Sequence, residues 1–195
     1  MTPTPPNWAE ALLRVFLTAA DFDSVSGDLL EEYRDSIRPV RGESAADAWY
    51  VMQVLGFVWR SARIWAVLFA AAFVTRTALD WLAPPVNFHT RSTVSTFLGI
   101  GLLLSAGLWA SMRSGSFFGG TLAGVAATAL GAVISVIGAA GLLAIWHDAG
   151  TMAAIRASGG LGEVFELPVM MVIPGAVLGT IGGVVGATIK RLRSA

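Results

Sequence analysis

The sequence predicts an all-α integral membrane protein: four transmembrane helices joined to a small N-terminal helical head. Three observations carry that expectation. First, 55% of the 195 residues are hydrophobic and only 13% charged, where a soluble domain has about a quarter charged; the mean hydropathy is +0.68. Second, four apolar runs fall at about 64–82, 94–110, 122–145 and 167–189. Each is close to the roughly 20 residues that cross about 30 Å of hydrocarbon at 1.5 Å per residue. Third, the glycines crowd into the apolar runs after Gly99, a placement that membrane helices tolerate. The expected division is a head over 1–58 and a four-helix transmembrane domain over 59–195.

In chain order, MTPTPP cannot be helical, because proline fixes φ and restricts the residue before it. Asn7 is then placed to cap a first helix, with Glu10 at capping-box spacing. Trp8, Leu12 and Phe16 would share its apolar face. A second helix begins after Asp21 or Asp23 and ends before Pro39. Its stripe is Phe22, Val25, Leu29 and Tyr33, while Glu31, Glu32, Arg34 and Asp35 face water. Ser44 and Asp47 are placed to cap a long third helix that runs from the head into the first span and stops at Pro84-Pro85. Ala11–Ala20 is too short, and too broken by Arg14, for a cleavable signal peptide. Met112–Gly120 (MRSGSFFGG) reads as a loop between the second and third spans.

Basic residues near the spans set the orientation. Arg14, Arg34, Arg38, Arg41, Arg60, Arg63, Arg113, Lys190, Arg191 and Arg193 share one side of such a bundle, against Arg76, Arg91 and Arg156 on the other. Both termini are therefore expected in the cytoplasm and Asn87 outside. Arg60 and Arg63 lie where the head meets the membrane. Arg76 and Asp80, at i,i+4 in the last turns of the first span, are expected to pair and to snorkel toward the interface.

The third span carries small residues at Gly124, Thr128, Gly131, Ser135 and Gly138; the fourth has Gly175, Gly179, Gly182 and Gly186 in the same rhythm. Such spacings let helix backbones approach closely, which replaces the hydrophobic drive missing inside lipid. The expectation is internal packing of spans three and four, with a dimer seam or conduction path as the alternative. Pro168 and Pro174 should kink the start of span four.

Chemistry-bearing patterns are absent. Zero net charge supplies no field for nucleic acid, and without cysteine there is no thiolate nucleophile or cysteine metal site. The stretch Asp21-x-Asp23…Glu32 has the outline of an EF-hand loop, but Val25 and Ser26 stand where an oxygen ligand and glycine are needed. His89 and the His147-Asp148 pair read as interfacial. No P-loop, dinucleotide fingerprint or zinc-protease motif occurs. No catalytic residue, cofactor or metal is expected.

Three blocks of the head form an ordered pattern. They are Pro5-Pro6-x-Trp8-Ala9-Glu10-x-Leu12-Leu13-Arg14-x-Phe16-Leu17, Gly27-Asp28-Leu29-x-Glu31-Glu32-Tyr33-Arg34, and Ala48-Trp49-Tyr50-x2-Gln53-Val54-Leu55. Together they resemble the permease prefix domain, which precedes the membrane part of bacterial permeases related to macrolide-type exporters and also heads small stand-alone membrane proteins. The resemblance covers about residues 5–58. It implies a bacterial inner-membrane location; transport does not carry over, because the large extracellular domain of those permeases has no counterpart here, and the family supplies no catalytic residue to carry across.

The function expected is therefore non-enzymatic: an accessory or regulatory subunit, with membrane lipids and either a protein partner, a permease being the candidate class, or self-association, and no nucleic acid. The alternative is a small oligomeric exporter or channel working through glycine-rich spans three and four. Residues 1–63 carry nine acidic and six basic side chains. An acidic head is repelled by anionic lipid except at its Arg60/Arg63 edge. That would leave Glu31, Glu32 and Asp35 open to a basic partner and Trp49, Tyr50 and Trp59 free to anchor at the headgroups.

Overall fold

The computed structural model describes residues 4–86 and 88–194; Asn87, expected in the first outer loop, lies outside the described residues. Among those described the chain is helical, with no strand. The head is built from α1 (Asn7–Phe16), α2 (Ala19–Glu32), a π-helical turn (Tyr33–Ile37), α3 (Arg38–Arg41) and the first turns of α4 (Glu43–Leu82). The bundle is α4, α5 (Phe88–Ser114), α6 (Phe117–Ile145) and the pair α8 (Gly160–Met170) and α9 (Val172–Ser194); α7 (Ala149–Ala157) lies between α6 and α8. Among the described residues four helices are long and apolar enough to cross a membrane, the make-up of a multi-pass membrane protein.

α4 is the organising element. It runs 40 residues without interruption, about 60 Å at 1.5 Å per residue, or roughly twice the hydrocarbon thickness. Its first turns complete the head's core: Ala46, Tyr50 and Val54 are buried with Ala9 and Leu13 of α1, Phe22 and Leu29 of α2, and Tyr33. Its later turns pack on α6 and α5, and α9 closes the bundle against α5 and α6 from the other side. α1 also touches α6 and α5 at their head-side ends, so head and bundle form one body. The outward faces are apolar, with Ile64, Val94, Phe97, Ile137, Ile173 and Val184 all exposed; for a spanning helix this is the surface that lipid covers. Trp59 and Trp109 lie at the head-side level and Trp146 at the opposite end, each exposed, as interfacial tryptophans are.

Several local expectations are corrected. Pro6, not Asn7, sits at the N-cap of α1, without a side-chain cap; its carbonyl takes the Ala9 N–H at 2.9 Å. The buried face of α1 is Ala9 and Leu13, with Leu12 and Phe16 half-buried and Trp8 58% exposed. α2 begins at Ala19, because the Thr18 hydroxyl accepts the Asp21 N–H at 3.3 Å. Pro39 does not end the helical path: the chain widens into a π turn just ahead of it, with the Arg38 N–H reaching back to Tyr33 O, and such a bulge makes room where an ordinary helix has none. α4 starts on Gly42 at φ +80° without a side-chain cap.

The loop expected over 112–120 shrinks to Gly115 and Ser116. Gly115 adopts φ +79°, where a side chain is strained. Ser111 Oγ donates to Ser116 O at 2.9 Å, and Lys190 Nζ donates to Arg113 O at 2.7 Å from α9. The last span begins earlier than expected, at Gly160, and bends at Met171. The bend lies between Pro168 and Pro174, each of which removes one backbone donor.

Candidate functional site

Two polar regions stand at opposite ends of the bundle. On the head, Glu31, Glu32 and Asp35 are exposed along the outer side of α2 and the π turn. Beneath them Leu29 and Tyr33 are buried, so the acidic face is held on a packed core. Tyr33 donates to Asp47 Oδ1 at 2.7 Å, which ties the π turn to α4 and spends the carboxylate expected to cap that helix. Burial, and then the Asp47 hydrogen bond, push the Tyr33 hydroxyl up to about 12. The anchoring role expected for Tyr50 is corrected: it is fully buried and meets Tyr33 edge to face at 6.0 Å. Trp49 is half-buried against the same core. Trp59 remains exposed, as do Arg60 and Arg63 at the head's edge.

At the far end, Arg76 and Asp80 do not snorkel outward. Asp80 is 5% exposed and is held by Arg76 Nε at 3.4 Å and by Arg91 Nη1 of α5 at 2.9 Å. Arg76 Nη2 also reaches Glu163 Oε1 of α8 at 2.7 Å. Two cations and two carboxylates thus join α4, α5 and α8. Inward pairing is favoured because an unpaired charge at this depth is costly. Arg91 and Glu163 carry no local motif. Spacing does not single them out either: Arg156 and Glu166, charges of the same end, are exposed and stay outside the cluster. Beside the cluster a void of about 10 Å³ is lined by Arg76, Asp80, Trp81, Ser158 and Glu163. The buried Trp81 Nε1 has no hydrogen-bond partner among the described residues, and the void has room for one water. Nearby, Asp148 caps α7 by accepting the Gly150 and Thr151 N–H groups at 2.9 and 3.1 Å. The Thr151 hydroxyl and amide hold its carboxyl below the usual range.

A groove of about 270 Å³ opens next to the charges, walled by α4 (Phe69, Phe73, Arg76), α5 (Ser92, Ser95, Thr96, Gly99) and α8 (Glu163, Leu167), and ending at Met171.

Between the two ends the glycines occupy three seams. A Cβ on Gly124 would overlap the Gly175 carbonyl, and one on Gly179 would lie 2.5 Å from Gly120 O, so α6 and α9 touch through backbone. Gly182 and Gly186 instead face α5, at the Leu104 and Leu108 carbonyls. Gly131 and Gly138 face α4, at Phe69 and Val74. Gly175 packs on Thr128, whose hydroxyl donates to Gly124 O at 2.8 Å. The rhythm of spans three and four therefore serves α4 and α5 as well as the α6–α9 contact.

Among the described residues no group of three or more His, Cys, Asp or Glu could hold a metal ion. No family model matches the chain, and comparison with curated proteins and with solved structures finds no match.

Proposed function

We propose that this chain is a non-enzymatic accessory or regulatory subunit of a bacterial inner membrane, with both termini cytoplasmic and a head that docks a basic protein partner. The observation that carries the reading is the exposed Glu31/Glu32/Asp35 face, set on a head that shares one 40-residue helix with the first span. A partner bound there is coupled mechanically to the bundle, because α4 has no hinge between head and membrane. Ten of the thirteen basic residues lie on the head side, which supports a cytoplasmic head. The resemblance of residues 5–58 to the permease prefix domain makes a permease the partner class to look for first.

The rival reading, a small oligomeric exporter or channel, has less support. The glycines it would use are packed against backbone or side chains inside the bundle, where they leave no passage between the helices they join.

The test is the double reversal Glu31→Lys/Glu32→Lys, with gentle detergent purification and mass spectrometry of co-purifying proteins. Loss of a partner with unchanged membrane insertion and thermal stability supports docking. If every co-purifying partner stays in place, the docking reading is wrong.

A further inference from the structure

The groove at the far end has a direction. On α4 its wall runs from Arg76 at the outer end to Phe73 and Phe69 inward; on α5 from Ser92, Ser95 and Thr96 to Gly99; on α8 from Glu163 to Leu167 and on to Met171. α4 runs opposite to α5 and α8, yet all three walls pass from polar to apolar in the same sense. Each does so over eight or nine residues, about 10–12 Å of helix. A bilayer has the same gradient over that depth, from headgroup to acyl chain. The volume, about 270 Å³, is near the lower bound of small-molecule pockets and suits one chain segment.

We infer that this groove is a binding site for one acyl chain of a zwitterionic phospholipid with a primary ammonium, its phosphate at Arg76 and its ammonium at Glu163. The outer end presents both signs of charge, and the four-residue cluster is neutral in sum. Such an end matches a dipolar headgroup better than an anionic one. Arg76 spends one N–H on Asp80 and one on Glu163. Its guanidinium has five donors, so others remain for a phosphate oxygen. Glu163 contributes one oxygen to Arg76 at 2.7 Å and its side chain is 34% exposed, leaving acceptor capacity for an ammonium. At the inner end Gly99 supplies the space: a Cβ there meets nothing within 4 Å.

The full-length protein, reconstituted in mixed phosphatidylethanolamine and phosphatidylglycerol vesicles, tests this with a diazirine-bearing acyl chain carried on either headgroup. Adduct sites are read by mass spectrometry. The ethanolamine probe should label Phe73, Leu167 and Met171 above the glycerol probe. Gly99→Leu should remove that labelling by filling the groove. Gly101→Leu, also in open space but outside the groove, should leave it. Both changes improve helix propensity. Glu163→Gln should bring the ethanolamine probe down to the glycerol level. Labelling of these residues that survives Gly99→Leu, or that is equal for the two headgroups, overturns the inference. So does a crosslink from one copy of the chain to another at the same residues.

Discussion

Substituting Gly179 by alanine should loosen the whole bundle, because α9 meets α6 there through backbone alone. An added Cβ would lie 2.5 Å from Gly120 O and 3.0 Å from Gly124 Cα. Neither atom belongs to a side chain that can swing away, and on the other side Gly179 O already fills the space beside Gly107. The helices must part by roughly 1 Å, and a gap of that size forfeits up to half of each contact's attraction. With about 20 atom pairs across the seam at ~0.15 kcal/mol each, the loss is about 1.5 kcal/mol, within the 1–3 kcal/mol typical of overpacking. Gly179→Leu should lie at or above the upper end. The matched control is Gly141→Leu on α6, where a Cβ meets nothing within 4 Å. Gly115, despite lying in a turn, is no control, since its φ of +79° strains any side chain. Reversible unfolding in mixed micelles measures the difference. Equal stability of Gly179→Ala and Gly141→Leu would refute close backbone packing as what holds α9 in place.

Other consequences follow from the same geometry. Tyr33→Phe removes the donor to a half-buried Asp47 and should cost about 1 kcal/mol, read as faster amide exchange in α2 and the π turn with the spans unaffected. Because the folded Tyr33 hydroxyl titrates at about 12 against an ordinary 10.0, its neutral form stabilises the head below pH 10. That contribution is lost as pH rises through about 12; burial raises Tyr50 as well, so a tyrosinate absorbance titration should show two late steps, one of which vanishes in Tyr33→Phe. Asp80→Ala leaves Arg76 and Arg91 facing one another without their shared carboxylate; it should cost about 3 kcal/mol in detergent melting. Glu163→Ala, at a more exposed partner, should cost about 1 kcal/mol or less. The reverse order would show that the cluster is not organised around Asp80.

The spans were legible because lipid imposes a requirement that composition alone reveals: about 20 apolar residues, four times over. The stripe of Phe22, Leu29 and Tyr33 was legible for a similar reason, since one period decides which face is buried. The details that escaped depend on partners distant in sequence. Tyr50 looks like an interfacial aromatic until α2 and the π turn are folded over it. Pro39 reads as a helix end because local rules do not foresee a π turn that absorbs it. The Arg76–Glu163 pair spans 87 residues, and no spacing rule joins positions so far apart. The glycine rhythm signalled close approach but not the neighbour, because glycine carries no side chain that distinguishes α4, α5 or α9. The short helix α7 and the early start of α8 escaped because they lie at the membrane edge, where neither lipid nor water alone sets the pattern.

The most direct test of the architecture and its orientation is cysteine accessibility, since the chain has no native cysteine. Single substitutions Ser24→Cys in the head, Val86→Cys after α4, Ala149→Cys at α7 and Leu192→Cys near the end of α9 all fall at exposed positions. In intact cells a membrane-impermeant maleimide should modify Val86→Cys and Ala149→Cys at once. Ser24→Cys and Leu192→Cys should react only after the membrane is opened. Labelling of Ser24→Cys and Leu192→Cys from opposite sides would contradict an even number of spans, and labelling of both from outside would contradict the cytoplasmic head on which the docking proposal rests.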